Sequence, residues 1–438
     1  MRRTVFLLLI LGAAPAAAAS LLAGPMPGAS AMRAAEVWIQ ADEETVARLR
    51  YWPEGDPSAA RLGPERDTRQ ESAHTAELSA TGLEPGTTYV YEVLLDGQPQ
   101  AARFPQTFVT QPLWQWRDDP PDFRFALGSC AYVNEPVYDR PGRPYGGDYH
   151  IFESIANADP DFMLWLGDNV YYREVDWDAP SSMYARYGHT RQLPEMQRLL
   201  TTAHHFATWD DHDYGPNNSD RSYRLRGAAQ QVFHDFWPNP VMQAAGTGGV
   251  TTSFQWHDVE FFLLDNRSFR QANERVTGEQ TILGEAQIRW LIDALRSSRA
   301  SFRFVVLGGQ FVNSAEVYEN YDSLAPAERR DILDRIRAED IPGVVFLTGD
   351  RHHSVLLRMD RRGTYPLHDW TVSPLTSGAG TPNEGEGQYR VDGSLYTERN
   401  FGTAEVTGPF GDRTLTMRLH DVDGNEVWSH VIHQRDLR

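Results

Sequence analysis

Residues able to do chemistry collect at four places where an apolar run stops. "FRFALGSC" ends on Cys130. "DFMLWLGDNVYY" ends on Asp168 and Tyr171. "HFATWDDHDYGPNN" ends on Asp210, Asp211, His212 and Asp213, with Asn217 and Asn218 just beyond. "GVVFLTGDRHHS" ends on Asp350, Arg351, His352 and His353. Thiol, phenol, carboxylate and imidazole are together a donor set for metal ions, and metal ions of this kind do hydrolytic chemistry. One Asp after a Gly is ordinary turn or cap chemistry. Four consecutive Asp/His residues repel one another unless a cation or a partner compensates. A solvated acidic loop fits poorly after the apolar lead-in "HHFATW", so "WDDHD" reads as metal-binding. The two histidines of "GDRHHS" suit a metal or a hydrogen-bonded pair. Cys130 is the only cysteine in 438 residues, so it has no disulfide partner in the chain. A free cysteine is usually a small buried hydrophobe, but a strand-end position beside other donors favours a metal-bound thiolate.

The elements that must carry these residues follow from periodicity. From about residue 122 onward, apolar strand-like runs with polar tips alternate with helical patterns such as "YHIFESIANADP", "YRLRGAAQQVFHDFW", "GEAQIRWLIDALRSS" and "PAERRDILDRIRAED". That is an α/β signature, and in such sheets a site lies outside the carboxyl ends of the strands. The tail "AEVTGPFGDRTLTMRLHDVDGNEVWSHVI" returns to strand alternation with turns at "GPFGD" and "DVDGNE", a closing antiparallel extension of the same domain. Residues 34–112 alternate as short strands between Gly/Pro turns, a β-sandwich in which Tyr89 and Tyr91 occupy an inner face. In "LLDNRSFR", Asp265, Arg267 and Arg270 read as a buried ion-pair set that orients loops.

The remaining readings bound the class. Residues 1–19, with Arg2-Arg3, an apolar run from Val5 to Gly12 and Ala17-Ala18-Ala19, predict a cleaved signal peptide and a periplasmic or secreted protein, by an export route left open. Residues 20–33, rich in Ala, Gly and Pro, predict a loose linker. No later run reaches the roughly 18 apolar residues of a spanning helix, so no transmembrane anchor is expected. A formal net charge of −19 argues against specific nucleic-acid binding, but a local cationic centre would still hold a small phosphorylated substrate.

The ordered motifs "GSC", "LGDNVY", "WDDHDYGPNN" and "GDRHHS", with "LDNRSFR" and "SPLTSG", resemble the PhoD-like alkaline phosphatase/phosphodiesterase family of the calcineurin-like metallophosphoesterases. "LEPGTTYVYEV" resembles the turn and strand of fibronectin-III/Ig-like sandwiches. The resemblance covers nearly all of the chain after residue 19. It implies a four-layer α/β/β/α metallophosphoesterase sandwich over residues 122–438, preceded by the small sandwich at 34–112. It also implies a centre of Fe(III) and Ca2+, with Cys130, Asp168, Tyr171 and Asp350 on iron and Asp168 shared. Asp211 would serve the second metal, and His352 the calcium side or a phosphate contact, although calcium rarely takes imidazole. His212 would be the catalytic histidine and Arg351 a phosphate contact, with Asn217 and His353 as weaker candidates. The implied activity is hydrolysis of phosphomonoesters or phosphodiesters by a metal-activated water.

Two other readings stay open on the sequence. One is a phospholipase D-like diesterase acting on a phospholipid. The other is a non-catalytic protein binding a surface or carbohydrate through the sandwich, which requires an incomplete donor set.

Overall fold

The computed structural model describes residues 18–240, 244–246, 248–316, 319–383 and 385–438. All of the predicted signal segment except Ala18 and Ala19 lies outside the described residues. No described helix is long and apolar enough to cross a membrane.

The N-terminal part is a β-sandwich. One sheet pairs Leu21–Ser30, Ala34–Ala41 and Thr75–Thr81, all antiparallel. The other is built on Val46–Pro53 and Thr88–Leu95, with shorter strands at its edges. Period-two alternation decides what each strand touches. Val37 and Ile39 point into the sandwich core with Leu49, Leu78, Tyr89, Tyr91 and Phe108. Trp38, between them, points the other way into the core of the large domain, where its indole donates to the Asp235 carbonyl at 2.7 Å and packs on Phe236. Both faces of Ala34–Ala41 are therefore covered, which is why almost every residue in it is buried.

The linker expected at 20–33 is instead largely the strand Leu21–Ser30, wedged between the sandwich and the large domain. Ala23 and Met26 are buried in the large domain's core. The Ala29 amide donates to the Pro238 carbonyl at 2.9 Å, and Gly28 accepts from or faces His204 Nδ1 at 2.8 Å. A Cβ on Gly28 would sit 2.4 Å from Pro238. The small-residue composition that suggests looseness is here the condition for close backbone approach.

The large domain packs two six-stranded sheets face to face between layers of helices. In one sheet the order is His204–Thr208, Phe162–Leu166, Phe123–Gly128, Asn400–Thr407, Thr414–Asp421, Glu426–His433; the first three are parallel. The C-terminal three extend it antiparallel, as the tail's turns predict. In the other sheet the order is Thr252–Trp256, Val259–Leu263, Arg303–Leu307, Val344–Thr348, Leu367–Thr371, Val355–Met359. Alternation again sorts the contacts. Phe125, Leu127, Phe162 and Leu164 face the second sheet, where Phe125 meets Phe162 at 5.0 Å and Phe261 edge-on at 5.3 Å. Ala126, Met163 and Trp165 face the helices Ile151–Asn157, Pro180–Arg191 and Arg226–Phe236. On the opposite side Glu285–Ser297 buries Ile288, Leu291, Ile292 and Leu295, an i, i+3, i+4, i+7 stripe laid on the second sheet. This is the expected α/β/β/α layering.

Candidate metal centre

The parallel strands of both sheets end at a common edge, and the four donor-rich runs meet there. Phe123–Gly128 delivers Cys130, Phe162–Leu166 delivers Asp168 and Tyr171, His204–Thr208 delivers Asp210 and Asp211, and Val344–Thr348 delivers Asp350 and His352. Four of these residues hold the left-handed backbone region: Cys130 at φ 63°, Asp168 at 50°, Asp350 at 69° and His352 at 56°. Such backbones cost roughly 1–3 kcal/mol each for residues other than glycine and cluster at functional sites. Here they turn each side chain off the end of its strand.

Among the described residues, atoms able to ligate a metal form three groups, each within 4.8 Å: Cys130, Asp168 and His352; Asp168, Asp211 and His212; Asp210, Asp211 and Asp350. Asp168 and Asp211 link the three. The Cys130 thiol lies 3.6 Å from Asp168 Oδ2 and receives a hydrogen bond from the Ser373 hydroxyl at 3.2 Å. The Tyr171 hydroxyl donates to Asp168 Oδ2 at 3.1 Å and faces His352 Nε2 at 3.3 Å. The His212 ring lies over Tyr171 with centroids 4.2 Å apart, and its backbone amide donates to Asp168 Oδ1 at 3.2 Å.

The surroundings concentrate negative charge in a dry place. Cys130, Asp168, Asp210 and Asp211 are each no more than 2% exposed. Burial pushes the Cys130 thiol up to about 12. Burial, then repulsion from Asp210 and Glu319, raises Asp350 to about 8. Burial and the charge of Asp211 raise Asp168, and burial raises the Tyr171 phenol well above its ordinary value. Asp211 moves the other way: burial is overcome by His212, Arg267 and the Asn218 amide, and its carboxyl lies below the usual range. Asp210 Oδ2, Asp211 Oδ1 and His212 Nδ1 are buried without a hydrogen-bond partner. Unpaired buried acceptors beside carboxyls that resist ionising are the condition a bound cation relieves, so the donor set fits metal ions.

A pH prediction follows. Carboxyls whose folded pKa is raised hold protons that the unfolded chain releases, so stability is fully present at low pH and lost as pH rises through the folded value. For Asp350 the window runs from about 4 to about 8. Buried histidines such as His353 add stability up to about pH 6.5, so the metal-free protein's melting temperature should fall between about pH 6.5 and 8, and saturating metal should flatten the fall. A metal-free melting temperature that rises from about pH 6.5 to 8 would contradict the charge distribution described.

Ion pairs surround the donor groups. Arg267, 1% exposed, pairs with Asp210, reaches Glu319 at 3.4 Å and lies 3.8 Å from Asp211; Arg270 pairs with Glu319. Asp265 receives the Trp209 indole N–H at 2.8 Å. Arg267 and Arg270 of "LLDNRSFR" are thus in buried ion pairs as expected, whereas Asp265 accepts neutral N–H groups instead of pairing with either arginine.

His352 groups with Cys130 and Asp168, with the Tyr171 hydroxyl 3.3 Å from its Nε2, and Asp350 groups with Asp210 and Asp211. Arg351 is tied to the buried Glu386 at 2.9 Å, and His353 lies 4.0 Å from the same carboxylate, its pKa lowered by burial to about 4. The Arg351 charge also acts on Asp350, partly offsetting the rise that burial causes. Asn217 is exposed, while its neighbour Asn218 donates its amide to Asp211 Oδ2 at 2.6 Å. Asp210, not chosen from sequence among the ligands, is a group member and also caps the short helix Asp211–Tyr214. Its signal was its place in "WDDHD".

Comparison with known proteins gives the same direction. The model of a family described as PhoD-like phosphatase matches residues 125–403, and one described as a domain of unknown function, DUF7800, matches residues 18–112. The alkaline phosphatase D of Bacillus subtilis (strain 168) is 26% identical over 344 residues, covering 64% of this chain; the match spans about half, 54%, of that relative. The solved structure of PhoD aligns over 97% of this chain and 93% of its own, with a TM-score of 0.76 at 17% identity. A purple acid phosphatase, PPD1, from yellow lupin (Lupinus luteus) seeds aligns over 95% of this chain and 74% of its own, with a TM-score of 0.65 at 11% identity. At those identities the two structures speak to fold.

Proposed function

This chain belongs to the PhoD-like phosphatase family, and from that premise we propose that its strand-edge centre is a metal-dependent phosphoesterase hydrolysing phosphomonoesters, phosphodiesters or both. The observation that carries the reading is the convergence of Cys130, Asp168, Tyr171, Asp210, Asp211, Asp350 and His352 in linked donor groups, with three buried polar atoms of Asp210, Asp211 and His212 unpartnered. Thiolate, phenolate and carboxylate suit Fe(III), so Cys130, Tyr171 and Asp168, with His352, would hold iron. The all-oxygen set of Asp210, Asp211 and Asp350 suits calcium. Bound there, the cations supply Lewis acidity toward phosphoryl oxygens and lower the pKa of water.

The chain's own groups do the rest. Asp168 fixes the two donor sets relative to each other by accepting from Tyr171 and from the His212 amide. Burial lowers the His212 pKa, so its neutral ring can accept the proton that the attacking water loses and pass it to the departing alkoxide. Arg267 holds Asp210 in place and offsets the charge of Asp211 and Glu319. Burial of the carboxylates strengthens each of these electrostatic contacts. The proposal extends to export, on the basic-then-apolar run of residues 1–19.

The test is release of phosphate from an aryl phosphate and of the aryl alcohol from its bis-ester, with iron and calcium supplied. Failure on every mono- and diester refutes the reading. Cys130→Ser should lose iron and the visible absorption of a thiolate-ligated ferric ion while far-UV circular dichroism stays native. Retained iron and absorption would make Cys130 a packing residue only.

A further inference from the structure

Beside the centre stands an aromatic side chain that the hydrolytic reading does not use. Tyr145 lies on the segment between Cys130 and the helix Ile151–Asn157, and its hydroxyl is 3.0 Å from His352 Nδ1. Its ring meets Tyr132 edge-on at 4.9 Å and Tyr171 at 6.4 Å. It is nevertheless 42% exposed, so part of the ring stands in solvent at the edge of an otherwise buried, anionic centre.

The ring is held there on several sides. A Cβ on Gly378 would lie 2.7 Å from Tyr145 Cε2, so the glycine leaves the notch the ring occupies. Arg399 donates to the Tyr145 carbonyl at 3.2 Å and to the Ser377 carbonyl at 2.9 Å, and it pairs with Asp148. The Asn134 side chain brackets Gly146, donating to its carbonyl at 2.7 Å and accepting from its amide at 3.0 Å. The same segment exposes two more apolar groups, Val137 at 76% and Tyr138 at 46%. A segment that keeps apolar surface in water beside the donor groups, with its nearest ring locked, is built to meet an apolar part of a ligand.

Resting on the phosphoesterase reading, we propose that Tyr145 is a specificity residue: its ring is the wall on which the leaving group lies, and the preferred substrates are phosphoric esters of flat, apolar alcohols, aryl esters above esters of small polar alcohols. The phosphoryl group sits at the donor groups, and the ester oxygen carries the alcohol outward past His352, against the ring. Aromatic contacts of this kind discriminate by roughly three- to tenfold.

Inhibition constants for phenylphosphonate and methylphosphonate separate binding from leaving-group reactivity, and kcat/KM for phenyl phosphate and glycerol phosphate gives the catalytic counterpart. The wild type should favour the phenyl member of each pair. Tyr145→Ala should cut both preferences by roughly three- to tenfold, and Tyr145→Phe should keep them, its absolute rates reporting the lost contact with His352. Equal loss on both members of a pair in Tyr145→Ala would make the residue a positioning group for His352 and overturn the proposal. An unchanged preference would overturn it too. A wild type that discriminates the phosphonates through Tyr145 but hydrolyses no ester keeps the wall and removes the phosphoesterase reading.

Discussion

Replacing Asp168 by Asn should lower kcat/KM for an aryl phosphate by at least about a thousandfold, the equivalent of ~4 kcal/mol of lost transition-state stabilisation. The residue belongs to two of the three donor groups, and its two oxygens accept from Tyr171 and the His212 amide. Among the described residues, Asp168 is the one carboxylate that belongs to both the Cys130 group and the His212 group. Asn is the apt substitution because it tolerates the left-handed backbone that Asp168 adopts at φ 50°. It also removes a buried charge that burial and Asp211 already disfavour, so the metal-free variant should melt no lower than the wild type. Loss of activity with loss of fold would leave Asp168 a structural residue, and activity within tenfold of wild type would remove it from the mechanism.

The largest effect on stability is expected at Arg267. Its guanidinium is 1% exposed and lies among Asp210, Asp211 and Glu319. Met fills similar volume without charge, so Arg267→Met isolates the electrostatic loss. Removing one partner from a buried ionic network leaves uncompensated charge and costs roughly 3–5 kcal/mol. Denaturant unfolding of the metal-free protein should show that loss at neutral pH. The double variant Arg267→Met/Glu319→Gln should recover part of it, because the neutral amide needs no counter-ion. A change below about 1 kcal/mol would place these charges in a more solvated setting than their burial indicates.

Much of the site was legible because its chemistry lies at strand ends. Compact apolar runs such as "DFMLWL" and "GVVFL" become buried parallel strands, and the polar residues that stop them have nowhere to go but the common edge. The amphipathic helix Glu285–Ser297 was legible for the same reason, a clean apolar stripe. Pro180–Arg191 was not, because its buried face includes Arg186, Gly188 and Arg191. Those arginines are buried through specific partners: Arg186 with Asp176 and Glu135, and Arg191 over the ring of Trp237. Composition does not foretell such pairings. The strand Leu21–Ser30 was hidden by its own fitness for close packing against Pro238. Which donors fall in which group was not legible, since one-dimensional spacing carries no direction for a side chain. Asp210 was visible as a residue but not as a member of a donor group, because an Asp before a short helix is first a cap.

The most direct measurement is phosphate release from an aryl phosphate by one preparation as purified, after exhaustive chelation, and after iron and calcium are returned, with metal content determined at each stage. The account predicts hydrolysis that disappears with the metals and comes back with them, in proportion to the ions bound. Undiminished hydrolysis by protein free of metal, or none by protein carrying its full complement, would contradict it.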